Sequence, residues 1–108
     1  GITGSHSGRV ILDASHDTAG RFANTLLDRP ASADDALAGM AEIANVVCGR
    51  GISRANRIAK GIDLRLTSAS LLEGKKLTLS TLPNHHVLSV TADTPIGSFL
   101  LSMEMLEE

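Results

Sequence analysis

An α+β domain, an antiparallel sheet with two main helices packed on one face, is what this sequence predicts, and three observations carry the expectation. Two stretches, 15–27 and 33–60, place apolar residues at helical spacing. Most of the remainder alternates apolar and polar residues in short runs divided by Gly, Pro and Asn, the pattern of strands. The later strands follow one another through short links instead of alternating with helices, which favours antiparallel neighbours over a doubly wound fold. With 108 residues, 43% of them hydrophobic, the chain reads as one domain, 1–108, built around a single core.

Ile2-Thr3 reads as the end of a strand, Gly4-Ser5-His6-Ser7-Gly8 as a hairpin loop, and 9–14 as the returning strand. Ser15 caps a helix to about Leu27, with Phe22, Ala23, Leu26 and Leu27 on its buried side. Arg29-Pro30 stops it, because the residue before a proline is pushed out of the helical region. Ser32 and Asp35 then form a capping box with Asp in the place of Glu, and a helix follows over 33–60. Strands are expected over 62–67, 75–81, 87–91 and 98–104. Gly74, Pro83-Asn84 and Thr94-Pro95-Ile96-Gly97 supply the turns.

The second helix carries the candidate site. At about 100° per residue, Leu37, Met40, Ala44, Val47, Cys48, Gly51, Ala55 and Ile58 fall within about 100° of one another and are expected to face the sheet. Asp35, Ala38, Glu42, Asn45, Gly49, Ser53, Asn56 and Lys60 form an opposite, solvent-facing stripe roughly 80° wide. The phase holds across Gly49 and Gly51, which favours one helix although each glycine costs about 1 kcal/mol relative to Ala. Glu42 and Asn45, three residues apart, share a face with Cβ atoms about 5–6 Å from each other. A carboxylate beside a carboxamide can grip a cation and orient a water together, which suits hydrolysis on a partner's surface. The small residues Ala38 and Gly49 leave the pair on a low ridge.

Composition removes several alternatives. Aromatic residues make up 2% of the chain, without Trp or Tyr, too few for a base-stacking surface, and a net charge of −2 does not suit a phosphate backbone. No nucleic-acid partner is expected. Cys48 is the single cysteine, so neither a disulfide framework nor a cysteine zinc site can form within the chain, and its apolar neighbours suggest a buried thiol. No apolar run reaches the length of about 20 residues that spans a bilayer. His85-His86, in or beside a strand, point to opposite faces and do not share a metal. Gly4 to Gly8 lacks the lysine of a phosphate-cradling loop, and no Ser has His and Asp partners for a triad. Arg50, Arg54 and Arg57 flank the Glu-Asn ridge on the same helix and read as a solvated cluster able to attract an acidic surface.

The segment Ala36-Leu37-Ala38-Gly39-Met40-Ala41-Glu42-Ile43-Ala44-Asn45-Val46-Val47-Cys48-Gly49 resembles the signature helix of the CheC/CheX/FliY phosphatases of bacterial chemotaxis, where an E-x-x-N pair is followed by a small apolar step and a glycine. The flanks are similar too: a Gly-rich hairpin and a first helix before it, and a Gly61-Ile62-Asp63-Leu64 strand after it. The resemblance covers nearly the whole chain, without the family's extreme N-terminal part. One E-x-x-N makes the chain most like CheX, since CheC has two. Two positions depart from the pattern: Ala38 stands where Asp or Ser is usual, and Ser68 followed by Ala69 where a proline is usual.

The resemblance implies a protein phosphatase that hydrolyses the aspartyl phosphate of a CheY-like receiver domain of a response regulator. Glu42 and Asn45 would be its catalytic residues, Asn45 holding the attacking water in line with phosphorus and Glu42 pairing with a receiver lysine. The receiver brings the Mg²⁺, so no cofactor or metal of the chain's own is implied. The partners implied are that phosphorylated receiver and a second copy of the chain; the cytoplasm, with no membrane partner, is expected from the lack of a spanning run and of a signal-peptide pattern. Two readings stay open beside it. One is a non-catalytic module of the same fold that binds a receiver or another signalling domain; the other is a structural or dimerisation domain working through its strand edges.

Overall fold

In the computed structural model, which describes residues 1–74 and 77–107, the elements follow the order β1 (Ile2–Gly4), β2 (Gly8–Asp13), α1 (His16–Leu27), α2 (Ala33–Ile58), β3 (Leu64–Leu66), β4 (His85–Asp93) and β5 (Ser98–Leu106). The strands form one antiparallel sheet in the order β3-β1-β2-β5-β4. Both helices lie on one face. Phe22 of α1 meets Phe99 of β5 edge-on with ring centroids 5.5 Å apart, and Ala44 and Cys48 of α2 share a recess with Val10 of β2. The pairing register puts Arg9 and Glu104, which are cross-strand partners, on the opposite face. Ile2, Ala23, Ile52 and Phe99 are the buried apolar residues of the core.

Local chemistry sets the helix ends. The Ser15 hydroxyl accepts from the Thr18 amide at 3.1 Å, and Asp28 closes α1 in the left-handed region with φ 53°. The capping box is present as the sequence predicts: Ser32 Oγ accepts from Asp35 N, and the Asp35 carboxylate accepts from Ser32 N. Asn24 Oδ1 accepts from Ala31 N at 2.6 Å and ties the short link to α1. Glycine is required at Gly4, where φ is 99° and a Cβ would collide with the Asp63 carbonyl, and at Gly97, where a Cβ would run into Thr18.

α2 is a single helix through both glycines, but it is turned about its axis relative to the sequence expectation. Ile52 is its buried residue, whereas Val47 is 43% and Ile58 73% exposed. Ala44, Cys48, Ile52 and Asn56 face the sheet, a rotation of roughly 80° from the centre of the apolar stripe. Asn56 supplies the reason. Its amide Nδ2 donates to the Leu64 carbonyl at 2.9 Å and its Oδ1 accepts from the Leu64 amide at 2.8 Å, so a residue expected in solvent clamps β3. On α1, Ala23 is buried as expected, but Leu26 and Leu27 are exposed at the rim of the helix–helix groove.

Of the strand expected over 75–81, Lys75 and Lys76 lie outside the described residues, and 77–81 makes no strand pairing. Its backbone is held by side chains instead. Arg9 Nη2 donates to the Ser80 carbonyl at 2.6 Å, and the Leu82 amide donates to Glu104 Oε1 at 3.1 Å. Those contacts draw the segment across the helix-free face of the sheet, away from a ladder. The other expected strands are present, β3 shorter than 62–67 and β4 and β5 longer than expected.

Candidate functional site

Glu42 and Asn45 lie near the middle of α2, one turn apart and both exposed. Among the described residues, neither side chain makes a hydrogen bond or an ion pair, so both polar heads are free to meet a partner. They are not equivalent. Glu42 stands clear of the sheet, while Asn45 borders a recess of about 40 Å³ walled by Val10, Cys48, Leu66, Thr67 and Ala69. That space has room for a water molecule beside the carboxamide. The recess wall is fixed from the strand side: Thr67 N donates to the Gly1 carbonyl at 2.9 Å, and Asn56 holds Leu64 three residues earlier.

The second neighbour is a largely apolar groove of about 220 Å³ between the helices, lined by Ala23, Leu26, Leu27, Asp35, Ala38 and Gly39. Ala38 is one turn before Glu42, so the groove opens beside the carboxylate. Sequence reasoning identified the pair and its small flanking residues and marked Ser68-Ala69 as a departure from the family pattern; it did not place Thr67 and Ala69 beside Asn45, where the fold brings them from the far side of β3. Cys48 is half-buried, and burial pushes its thiol pKa up, so it is a poor nucleophile.

The remaining sequence candidates do not assemble a site. His85 Nδ1 donates to the Pro83 carbonyl at 2.7 Å, while His86 lies 3.6 Å from the Glu107 carboxylate. Among the described residues no group of three His, Cys, Asp or Glu is arranged to hold a metal ion, and no helix is long and apolar enough to cross a membrane.

An exposed, unpaired Glu-x-x-Asn on the central helix of an α+β sheet domain is the arrangement the sequence resemblance calls for. The family model described as chemotaxis phosphatase CheX matches residues 1–93. The chain belongs to the CheX family. No curated protein and no solved structure gives a significant match. Of the two departures from the CheX pattern, Ala38 forms a wall of the helix groove, and Ser68 lies between Thr67 and Ala69, which line the Asn45 recess.

Proposed function

We propose that this CheX-family domain accelerates hydrolysis of the aspartyl phosphate on a CheY-like receiver domain. Family membership supports the reaction class, and the observation that carries the reading is the exposure of Glu42 and Asn45 on one helix with no partner inside the described chain. The Asn45 carboxamide enters the receiver's site and holds a water in line with phosphorus; Glu42 pairs with a receiver lysine and sets the register of insertion. The receiver contributes the phosphoryl group and the Mg²⁺ that compensates its charge. Nothing covalent is asked of this chain, because phosphoryl transfer responds chiefly to alignment and electrostatics. Such a substrate puts the reaction in the cytoplasm, and a homodimer is the assembly that offers two such ridges.

The test is phosphate lifetime on a panel of phosphorylated receivers, with and without the domain. Shortening of one lifetime by the intact domain is the expected result. A second reading draws on Ala38 and Ser68, the departures from the family pattern: a non-catalytic module that binds the receiver and leaves its phosphate alone. Binding with an unchanged lifetime across the panel would select it.

A further inference from the structure

Four of the seven arginines have a carboxylate partner: Arg9 with Glu104, Arg21 with Asp17, Arg29 with Asp35 and Arg65 with Asp63. The other three, Arg50, Arg54 and Arg57, are exposed on α2 and make no hydrogen bond or ion pair among the described residues. Their placement is not scattered. Counted from Gly39 at about 100° per residue, Arg50 and Arg57 project within about 20° of that glycine, and Arg54 within about 60°. Gly39 is where α2 packs on Ala23 of α1. The arginines therefore continue the strip of α2 that α1 covers over its first half. With 12 residues in α1 and 26 in α2, the longer helix runs on by roughly 20 Å, and the strip is bare there.

Local stability does not account for the trio. Arg57, in the last turn, complements the helix dipole. Arg50 and Arg54 are four apart and Arg54 and Arg57 three apart, spacings at which like charges repel, and α2 holds no acidic residue after Glu42 to offset them.

We propose that Arg50, Arg54 and Arg57 are a steering flank that draws in the acidic face of the partner that Glu42 and Asn45 meet. This rests on the phosphatase reading and adds a capture step to it. A partner that carries a phosphoryl group and holds Mg²⁺ must line that site with carboxylates, so the face it presents is acidic. The net charge of −2 on this chain opposes such a face at long range. The three free guanidiniums reverse the sign on one flank of α2: they begin about 7.5 Å along the axis from Asn45 but lie about 120–180° around it, so they act across more than the Debye length of about 8 Å at physiological salt and most strongly at low salt. Attraction of this kind acts on capture more than on residence or chemistry.

The experiment is steady-state phosphate release from the phosphorylated receiver by the full chain, from low to high salt, comparing wild type with R50Q/R54Q/R57Q and R50K/R54K/R57K, each checked for native helix content. At low salt the Gln variant should lose about tenfold in kcat/KM with kcat kept, and its salt dependence should flatten; the Lys variant should retain most of both. A folded Gln variant with wild-type kcat/KM and salt slope would overturn the proposal and leave the phosphatase reading standing. A Lys variant as impaired as the Gln variant would also overturn it, since charge is then not what matters. Wild type that neither binds nor turns over any receiver would remove both readings. Loss confined to binding of phosphatidylserine vesicles, with receiver turnover intact, would assign the arginines to a membrane surface instead.

Discussion

Ile52 stands seven residues after Asn45, so the two project within about 20° of each other on α2, the first 8% exposed and the second open to solvent. The side of the helix that anchors the domain and the side that bears the candidate water-positioning group are therefore the same side. Asn45 is exposed at the mouth of the recess that Val10, Cys48, Leu66 and Thr67 wall. Its placement is fixed by the core, whereas Glu42, a turn earlier and rotated outward, is set by the helix alone.

Ile52→Ala should lower unfolding free energy by about 2–5 kcal/mol, the usual cost of opening a cavity in a core this small. Urea denaturation checks it. A loss below about 1 kcal/mol would place the weight of the α2 contact elsewhere.

Gly51→Ala should act in the other direction. A Cβ at Gly51 meets nothing within 4 Å, so the substitution adds helix propensity without a clash and should raise stability by about 1 kcal/mol. Thermal unfolding reads the sign directly, and a destabilised variant would mean that the second half of α2 is not held as a regular helix.

What the sequence made legible was whatever depends on near neighbours. The Ser15 cap, the Ser32–Asp35 box, the continuity of α2 and the exposure of Glu42 with Asn45 all follow from spacing within a few residues. What stayed hidden depends on polar groups far apart in the chain. Asn56 looks like a solvent residue until its amide meets the Leu64 backbone, and that contact turns the helix away from its own apolar stripe. Segment 77–81 alternates as a strand should, but Arg9 and Glu104, brought from opposite ends of the sequence, claim the backbone on either side of Thr81. Thr67 and Ala69 became part of the Asn45 surroundings for the same reason: topology, not pattern, put them there.

The buried Glu104 gives the domain an acid-sensitive element. The Arg9 guanidinium, and then the Leu82 amide, hold its carboxyl below the usual range despite burial; the Ser32 amide and Arg29 do the same for Asp35. In both cases the folded pKa lies under the unfolded one. Their stabilisation is fully present above the ordinary carboxylate range and is lost as pH falls through it toward the folded values, so stability should decline below about pH 5. Glu104→Gln should be less stable at neutral pH and show a flatter acid limb, measured by urea titrations at several pH values. Parallel acid limbs in the two proteins would mean that other carboxylates carry the effect.

β4 ends the sheet, nine residues long, with Val87, Leu88 and Val90 between 48% and 66% exposed. A long apolar edge with free backbone donors and acceptors invites pairing with a second copy, by a twofold axis that matches β4 to itself. Light scattering should give twice the chain mass of 11.3 kDa, and Leu88→Lys with Val90→Lys should restore the monomer. A monomeric wild type at high concentration would reject the dimer without touching the phosphatase proposal.

Asn45→Ala separates chemistry from docking. If the carboxamide holds the attacking water, its removal should cut receiver dephosphorylation by about 10²–10³ while binding to the phosphorylated receiver is largely kept. Glu42→Ala should weaken binding as well as turnover, because its expected partner is a lysine on the other protein. Neither change should move stability by more than about 0.5 kcal/mol, since both side chains are exposed and unpaired among the described residues. Gly49→Leu offers an orthogonal check: a Cβ there meets nothing in the free domain, so the bulk should be tolerated by the fold but obstruct the partner beside the ridge. The decisive measurement is phosphate release by folded Asn45→Ala. Turnover equal to wild type would remove Asn45 from the mechanism whatever the other two variants do.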